Sequence, residues 1–157
     1  MMGVTASGKT TVGRALAARL GWPFADADDY HLPASIAKMH AGIPLTDADR
    51  APWLASLRGL IARAIDRREH LVLACSALKQ SYRDVLGGGL HPVRFVYLKA
   101  DEAALRARLE HRSDHFAGTN LLVSQFAALE EPHDALSIDA TAPLDWILDT
   151  IRYECGL

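Results

Sequence analysis

GVTASGKTT, residues 3–11, is the stretch from which the rest of the chain is read. Gly3, Gly8, Lys9 and Thr10 fit G-x-x-x-x-G-K-[ST], a glycine-rich turn whose backbone N–H groups can close around phosphate oxygens. TTVGRALAARLG follows with helical spacing, so the turn leads into a helix N-terminus, where unpaired N–H groups and the positive dipole end favour an anion. On that geometry Lys9 reaches the β- and γ-phosphates of ATP and the Thr10 hydroxyl ligates Mg²⁺. Gly3, Ala6, Ser7, Gly8 and Thr11 complete the nucleotide cradle. Ala6 stands where many such loops carry glycine, and it restricts the backbone there.

The chain has 157 residues, half of them hydrophobic, which is enough for one good core and too little for two ordinary domains. A single domain over 1–157 is expected. Nineteen acidic residues against seventeen basic ones give a formal charge of −2, so no global field draws the protein to nucleic acid or to an anionic membrane. Any anion site has to be local. Cys75 and Cys155 have neither metal-site spacing nor a disulfide framework, no apolar run reaches the length of a membrane span, and no signal segment is visible. A cytoplasmic protein is expected.

Apolar runs alternate with amphipathic ones, the grammar of an α/β fold. PFADAD, LVLAC, VRFVYLKA and ALSIDA read as strands. TTVGRALAARLG, APWLASLRGLIARAIDRRE, DEAALRARLEHR and PLDWILDTIRYE read as helices, the last with Pro143 near its first turn. Unbroken apolar runs such as Leu71–Cys75 suit parallel strands covered on both faces. The expectation is a three-layer arrangement with a five-stranded parallel sheet. Only Met1 and Met2 precede Gly3, so the first strand is either stunted or begins upstream.

Beyond the carboxyl ends of such strands is where ligands sit, and FADADDYH places Asp26, Asp28 and Asp29 there. Asp26 and Asp28 share a face in extended chain; one can act near Mg²⁺ while the other takes the proton of an attacking hydroxyl, and the pair also suits a helix N-cap. LPASIAKMHAGIPLTDADRAPWL adds Lys38 and Arg50. Part of this segment is capping, with Thr46 or Asp49 opening a helix, but a cation beside the acceptor suits a carboxylate-bearing substrate. Lys79 and Arg83, four apart after the LVLAC strand, again suggest an anionic acceptor, although a solvated helix face would look the same.

Across GVTASGKTT, FADADDYHLPASIAKMHAGIPLTDADRAPWL, CSALKQSYRD, VRFVYLKA and HFAGTNLLVSQFAALEEP the chain resembles the gluconokinases, relatives of shikimate kinase among the P-loop small-molecule kinases. The resemblance implies transfer of the ATP γ-phosphoryl group to the 6-hydroxyl of D-gluconate, in a cytoplasmic homodimer. It also implies roles: Asp28 at the acceptor hydroxyl, Arg50 at the acceptor carboxylate or a nearby hydroxyl, Asp26 closer to the metal, Arg108 against the adenine and Gln125 holding the acceptor. A mobile lid is expected over about 112–125, with Arg112 neutralising charge in the transition state. Two other readings stay open: a kinase for another small sugar acid such as shikimate, and a nucleotide-binding protein without turnover.

Overall fold

The computed structural model describes residues 1–87, 92–110 and 115–157. Its elements alternate as expected. Helix α1 (Lys9–Leu20) follows the glycine-rich turn, and strand β1 (Phe24–Asp26) runs into a 3₁₀ turn (Ala27–Tyr30). Next come α2 (Pro33–His40), α3 (Asp47–Asp66), β2 (Val72–Ala74) and α4 (Gln80–Gly87). The chain continues through β3 (Val96–Lys99), α5 (Glu102–Glu110), α6 (His115–Ala128), β4 (Leu136–Asp139) and α7 (Leu144–Cys155).

The strands are parallel but do not form one regular sheet of five. β1 pairs with β2 and β3 pairs with β4, giving two two-stranded sheets. Met1 and Met2 lie between them. Met2 N–H donates to the Val96 carbonyl (2.7 Å) and the Met2 carbonyl accepts from Leu98 N–H (2.9 Å). On the other side the Met1 amine donates to the Leu73 carbonyl (2.8 Å), and the Met1 carbonyl accepts from Cys75 N–H (3.0 Å). Two extended residues before the turn at Gly3 are too few for a strand, so this segment contributes a single parallel bridge, Met2 to Tyr97.

Helices cover both faces of the strands. Val72, Val96, Leu98 and Ile138 pack with Val12 and Leu16 of α1 and with Ile147, Leu148 and Ile151 of α7. Met2, Cys75 and Tyr97 face the other way, against Trp53, Leu54 and Leu57 of α3 and Tyr82 and Leu86 of α4. The alternation of Val96, Tyr97 and Leu98 between these clusters is the period-2 pattern of a strand buried on both sides. A third cluster joins Val4 and Leu78 to Leu105 and Leu109 of α5 and Leu122 of α6. It sits under the phosphate-loop sequence itself.

Helix boundaries follow local chemistry. Thr46 caps α3: its hydroxyl accepts from Asp49 N–H (3.2 Å) while the Asp49 carboxylate accepts from Thr46 N–H (2.9 Å), a reciprocal box that starts the helix four residues before APWL. Pro52 therefore lies inside α3, beyond its first turn. Gly21 and Gly156 close α1 and α7 in left-handed conformations, as helix C-caps do. Strands are shorter at both ends than their apolar runs, because the pairing covers only three or four residues each. Helix α2 was not expected from the sequence.

Candidate active site

The turn from Gly3 to Gly8 hangs where Met1–Met2 ends and α1 begins, at the carboxyl edge of the strands. Gly3 has φ +140, and a Cβ there would lie 2.8 Å from the Leu98 carbonyl oxygen and 2.9 Å from Ser7 Oγ, so only glycine fits. Ala6 takes φ 59, a left-handed conformation that costs a non-glycine residue about 1 kcal/mol or more. Lys9 Nζ donates to the Val4 carbonyl (2.9 Å), which holds the ammonium back over the loop. Burial lowers the Lys9 pKa, against the pull of Asp28 and Asp26. Ser7 Oγ is buried without a hydrogen-bond partner among the described residues.

Thr10 and Asp26 meet. The Thr10 hydroxyl donates to Asp26 Oδ2 (2.8 Å), linking the first turn of α1 to the end of β1. Asp26 Oδ1 accepts from Asp28 N–H (3.2 Å), so the same carboxylate caps the 3₁₀ turn that carries Asp28. Asp28 is pushed above the ordinary carboxylate range by burial and then by the Asp26 charge, with Lys9 and His31 opposing. A carboxylate so placed is a stronger base than one in water, and the loop lysine counters its charge.

Two residues beside Asp28 carry no motif signal. His31 Nε2 lies 4.0 Å from Asp28 Oδ1, its ring is stacked on Trp53 (4.6 Å, 10° between planes), and its Nδ1 is buried without a partner. Burial lowers the His31 pKa, Asp28 raises it and Arg50 lowers it. Trp53 in turn donates its indole N–H to the Ala27 carbonyl (2.7 Å), fixing the turn that presents Asp28. A side-chain bond across 26 residues leaves no periodicity to read.

The cations expected to await the acceptor already have protein partners. Lys38 Nζ donates to Asp49 Oδ1 (2.6 Å), and Lys79 Nζ donates to both Asp47 oxygens (2.9 and 2.8 Å). Tyr82 also donates to Asp47, and the cations of Lys79 and Arg50 lie over its ring at 5.4 and 6.0 Å. Arg50 Nη1 donates to the Leu45 carbonyl (2.6 Å). Arg83 is only 3% exposed and donates to the Ala77 and Leu78 carbonyls (3.0 and 3.1 Å) and to Gln80 Oε1 (2.7 Å). It braces the tip after β2, where Ala77 is held at φ 46, and is not a solvated cation on the face shared with Lys79.

Arg108 reaches the loop: its Nη1 donates to the Ala6 carbonyl (3.3 Å) and its Nη2 to the Ala140 carbonyl (2.6 Å). Gln125 Oε1 accepts from Thr5 N–H (2.6 Å). Arg112 lies outside the described residues. So does the start of the expected lid, whose remaining stretch from His115 to Gln125 belongs to α6.

Residues 1–136 match the AAA domain family. A gluconokinase of Gluconobacter oxydans (strain 621H) is 48% identical over 134 residues, covering 85% of this chain and 75% of that protein. The crystal structure of a gluconokinase from Sinorhizobium meliloti 1021 superposes with a TM-score of 0.87 at 41% identity, covering 99% of this chain and 89% of that one. The chain belongs to the gluconokinase family. Shikimate kinase from Aquifex aeolicus, at 15% identity and a TM-score of 0.56 over 99% of this chain and 93% of that one, shares the fold alone. In this chain the loop, the Thr10–Asp26 pair and Asp28 form one continuous edge.

Proposed function

We propose that the protein transfers the γ-phosphoryl group of ATP to the 6-hydroxyl of D-gluconate, giving 6-phospho-D-gluconate and ADP. The observation that carries this reading, in a member of the gluconokinase family, is the bond from Thr10 Oγ1 to Asp26 Oδ2 (2.8 Å). It joins the phosphate-binding turn to the strand end that presents Asp28, so donor and acceptor chemistry share one edge. Phosphoryl transfer asks little covalent chemistry of a protein, so positioning and charge neutralisation dominate.

The N–H groups of the turn from Gly3 to Thr11 that no protein atom accepts, together with the α1 N-terminus, hold the phosphates, and Lys9 leaves the Val4 carbonyl to meet the γ-phosphate. Asp28 accepts the proton of the attacking hydroxyl as that oxygen bonds to the γ-phosphorus and the bond to the ADP oxygen breaks. A hydroxyl and a carboxylate side by side suit a hard cation that takes its other ligands from phosphate and water. Thr10 and Asp26 would therefore hold Mg²⁺, which when bound supplies charge neutralisation on the phosphates. Arg108 leaves its two carbonyls to lie against the adenine.

On the acceptor side, Lys38, Arg50 and Lys79 serve the substrate anion, and a carboxylate-bearing substrate exchanges with Asp47 and Asp49 for the cations of Lys79 and Lys38. Arg83 acts there through the strand tip it braces. Arg112 keeps the charge-neutralising role that the chemistry of a cationic lid assigns to it. The same reading takes Met1–Met2 as the central member of a five-stranded layer, ordered β1, β2, Met1–Met2, β3, β4; its hydrogen bonds on both sides support this. Among the described residues no helix is long and apolar enough to cross a membrane. A cytoplasmic homodimer is part of the proposal, and light scattering on a sizing column checks the dimer.

The testing experiment is ADP release from Mg²⁺-ATP with D-gluconate, other aldonic acids, shikimate and no acceptor. Gluconate-dependent turnover is expected. Turnover with shikimate and none with gluconate would reassign the acceptor, and nucleotide binding without turnover on any acceptor would remove the kinase reading.

A further inference from the structure

Three consecutive residues of the phosphate loop are held from outside it, and apart from Leu78 in the cluster around Val4 their anchors among the described residues come from α5 and α6. The Val4 side chain, 3% exposed, is packed among Leu105 and Leu109 of α5 and Leu122 of α6. Thr5 N–H donates to Gln125 Oε1 of α6 at 2.6 Å, across 120 residues of sequence. The Ala6 carbonyl accepts from Arg108 of α5. Val4 also accepts Lys9 Nζ, so the residue packed by α5 and α6 is the one that stations the phosphate-binding lysine.

A phosphate loop has two classes of backbone N–H. Those that turn inward are reserved for ligand oxygens, and those that do not must find a protein acceptor or lose their orientation. Thr5 N–H belongs to the second class, and Gln125 supplies its acceptor. An N–H can only donate, so the amide atom facing it is the oxygen. The next residue, Ala6, is held left-handed without the help of a glycine, and such a conformation persists only where neighbouring bonds over-determine it. Gln125 on one side and Arg108 on the other provide those bonds. Once Arg108 moves to the nucleotide, Gln125 is the remaining one of these two polar anchors.

We propose that Gln125 is a positioning residue for the nucleotide: by accepting the Thr5 N–H it keeps the phosphate loop in its anion-binding form, and it does not hold the acceptor. The proposal rests on reading residues 3–11 as a nucleotide-binding loop and is independent of which acid is phosphorylated.

Gln125→Leu keeps the bulk and removes the acceptor atom; Gln125→Met does so with an unbranched chain and serves if the leucine variant fails to fold. For the full chain and each variant, ADP affinity is measured by calorimetry with no acceptor present, beside KM for ATP and for gluconate. The expected result is roughly tenfold weaker ADP binding and a matching rise in KM for ATP, from loss of one half-buried hydrogen bond, with KM for gluconate within about twofold. A rise in KM for gluconate with ADP binding unchanged returns Gln125 to the acceptor and overturns the proposal. Equal loss on both sides, or no change on either, overturns it as well. If the parent protein turns over no gluconate, the proposed activity fails, yet the ADP measurement still decides this question.

Discussion

Asp28 is the residue on which activity and stability pull in opposite directions. Burial of its surroundings and the Asp26 charge raise its pKa, but the Asp28 side chain itself is 90% exposed, so solvent screens most of the effect on stability. A carboxyl raised in the folded state contributes most below its unfolded pKa and loses that contribution as pH rises through the folded value, so at neutral pH the charge is a cost. Asp28→Asn removes that small cost together with the proposed base. Its kcat is expected to fall about 10²–10⁴-fold, while its melting temperature equals or exceeds that of the parent. A variant that is inactive because it is unfolded would show the opposite in a thermal melt. Asp49 runs the other way: Lys38 first, then Thr46, hold it down at about 2 from an ordinary 3.8. Its contribution is present above pH 3.8 and is lost as pH falls through about 2. Acid unfolding of Asp49→Asn should therefore lack that segment of the pH dependence. Thr46→Ala, which breaks the same box, is expected to lose about 1 kcal/mol in urea unfolding.

At the scale of elements, α1 lies against β1 through a glycine. A Cβ on Gly13 would come within 2.7 Å of the Phe24 ring, and that ring is covered by the Arg14 guanidinium at 5.4 Å. Gly→Ala inside a helix gains about 1 kcal/mol of propensity, whereas overpacking a confined ring costs about 1–3 kcal/mol, so the clash decides. Gly13→Ala is expected to lower stability by about 1 kcal/mol, and adding Phe24→Leu should restore most of it; a stabilised Gly13→Ala would show that the ring yields freely. How much of these elements the sequence disclosed follows from the range of the forces involved. The α1 start, the Thr46 cap and the Pro143 start of α7 depend on neighbours a few residues away, and these were legible. Helix α2 was not, although Leu32, Ile36 and Met39 stand at helical spacing, because it has only eight residues and that stripe stays exposed instead of joining the core. The strands came out shorter than their apolar runs because pairing length depends on the neighbouring strand, which a run of valine and leucine does not specify.

For the whole molecule, the motif-bearing edge was readable and its wiring was not. Lys9, Thr10 and Asp28 follow from a spacing pattern and a strand end. The partners of Lys79, Arg108 and Gln125 depend on tertiary contacts across as many as 120 residues, and Arg83 turns back onto the carbonyls of the strand tip just before it, so sequence reading gave those side chains to substrate before the protein's own carboxylates and carbonyls had been counted. In the proposed acceptor site, Asp49 holds Lys38 and Asp47 holds Lys79 until an anionic substrate takes them over. It predicts that Asp47→Asn, which frees Lys79 from its partner, lowers KM for an anionic acceptor more than KM for ATP, by a steady-state comparison of the two substrates. The most direct measurement of the central claim is identification of the product: Mg²⁺-ATP and D-gluconate are incubated with the protein and followed by ³¹P and ¹H NMR, with Asp28→Asn in parallel. A phosphomonoester on the 6-oxygen, formed in step with ADP and absent with the variant, is the predicted result. ADP appearing together with free phosphate and no sugar-acid ester, or an ester formed equally well by Asp28→Asn, would contradict it.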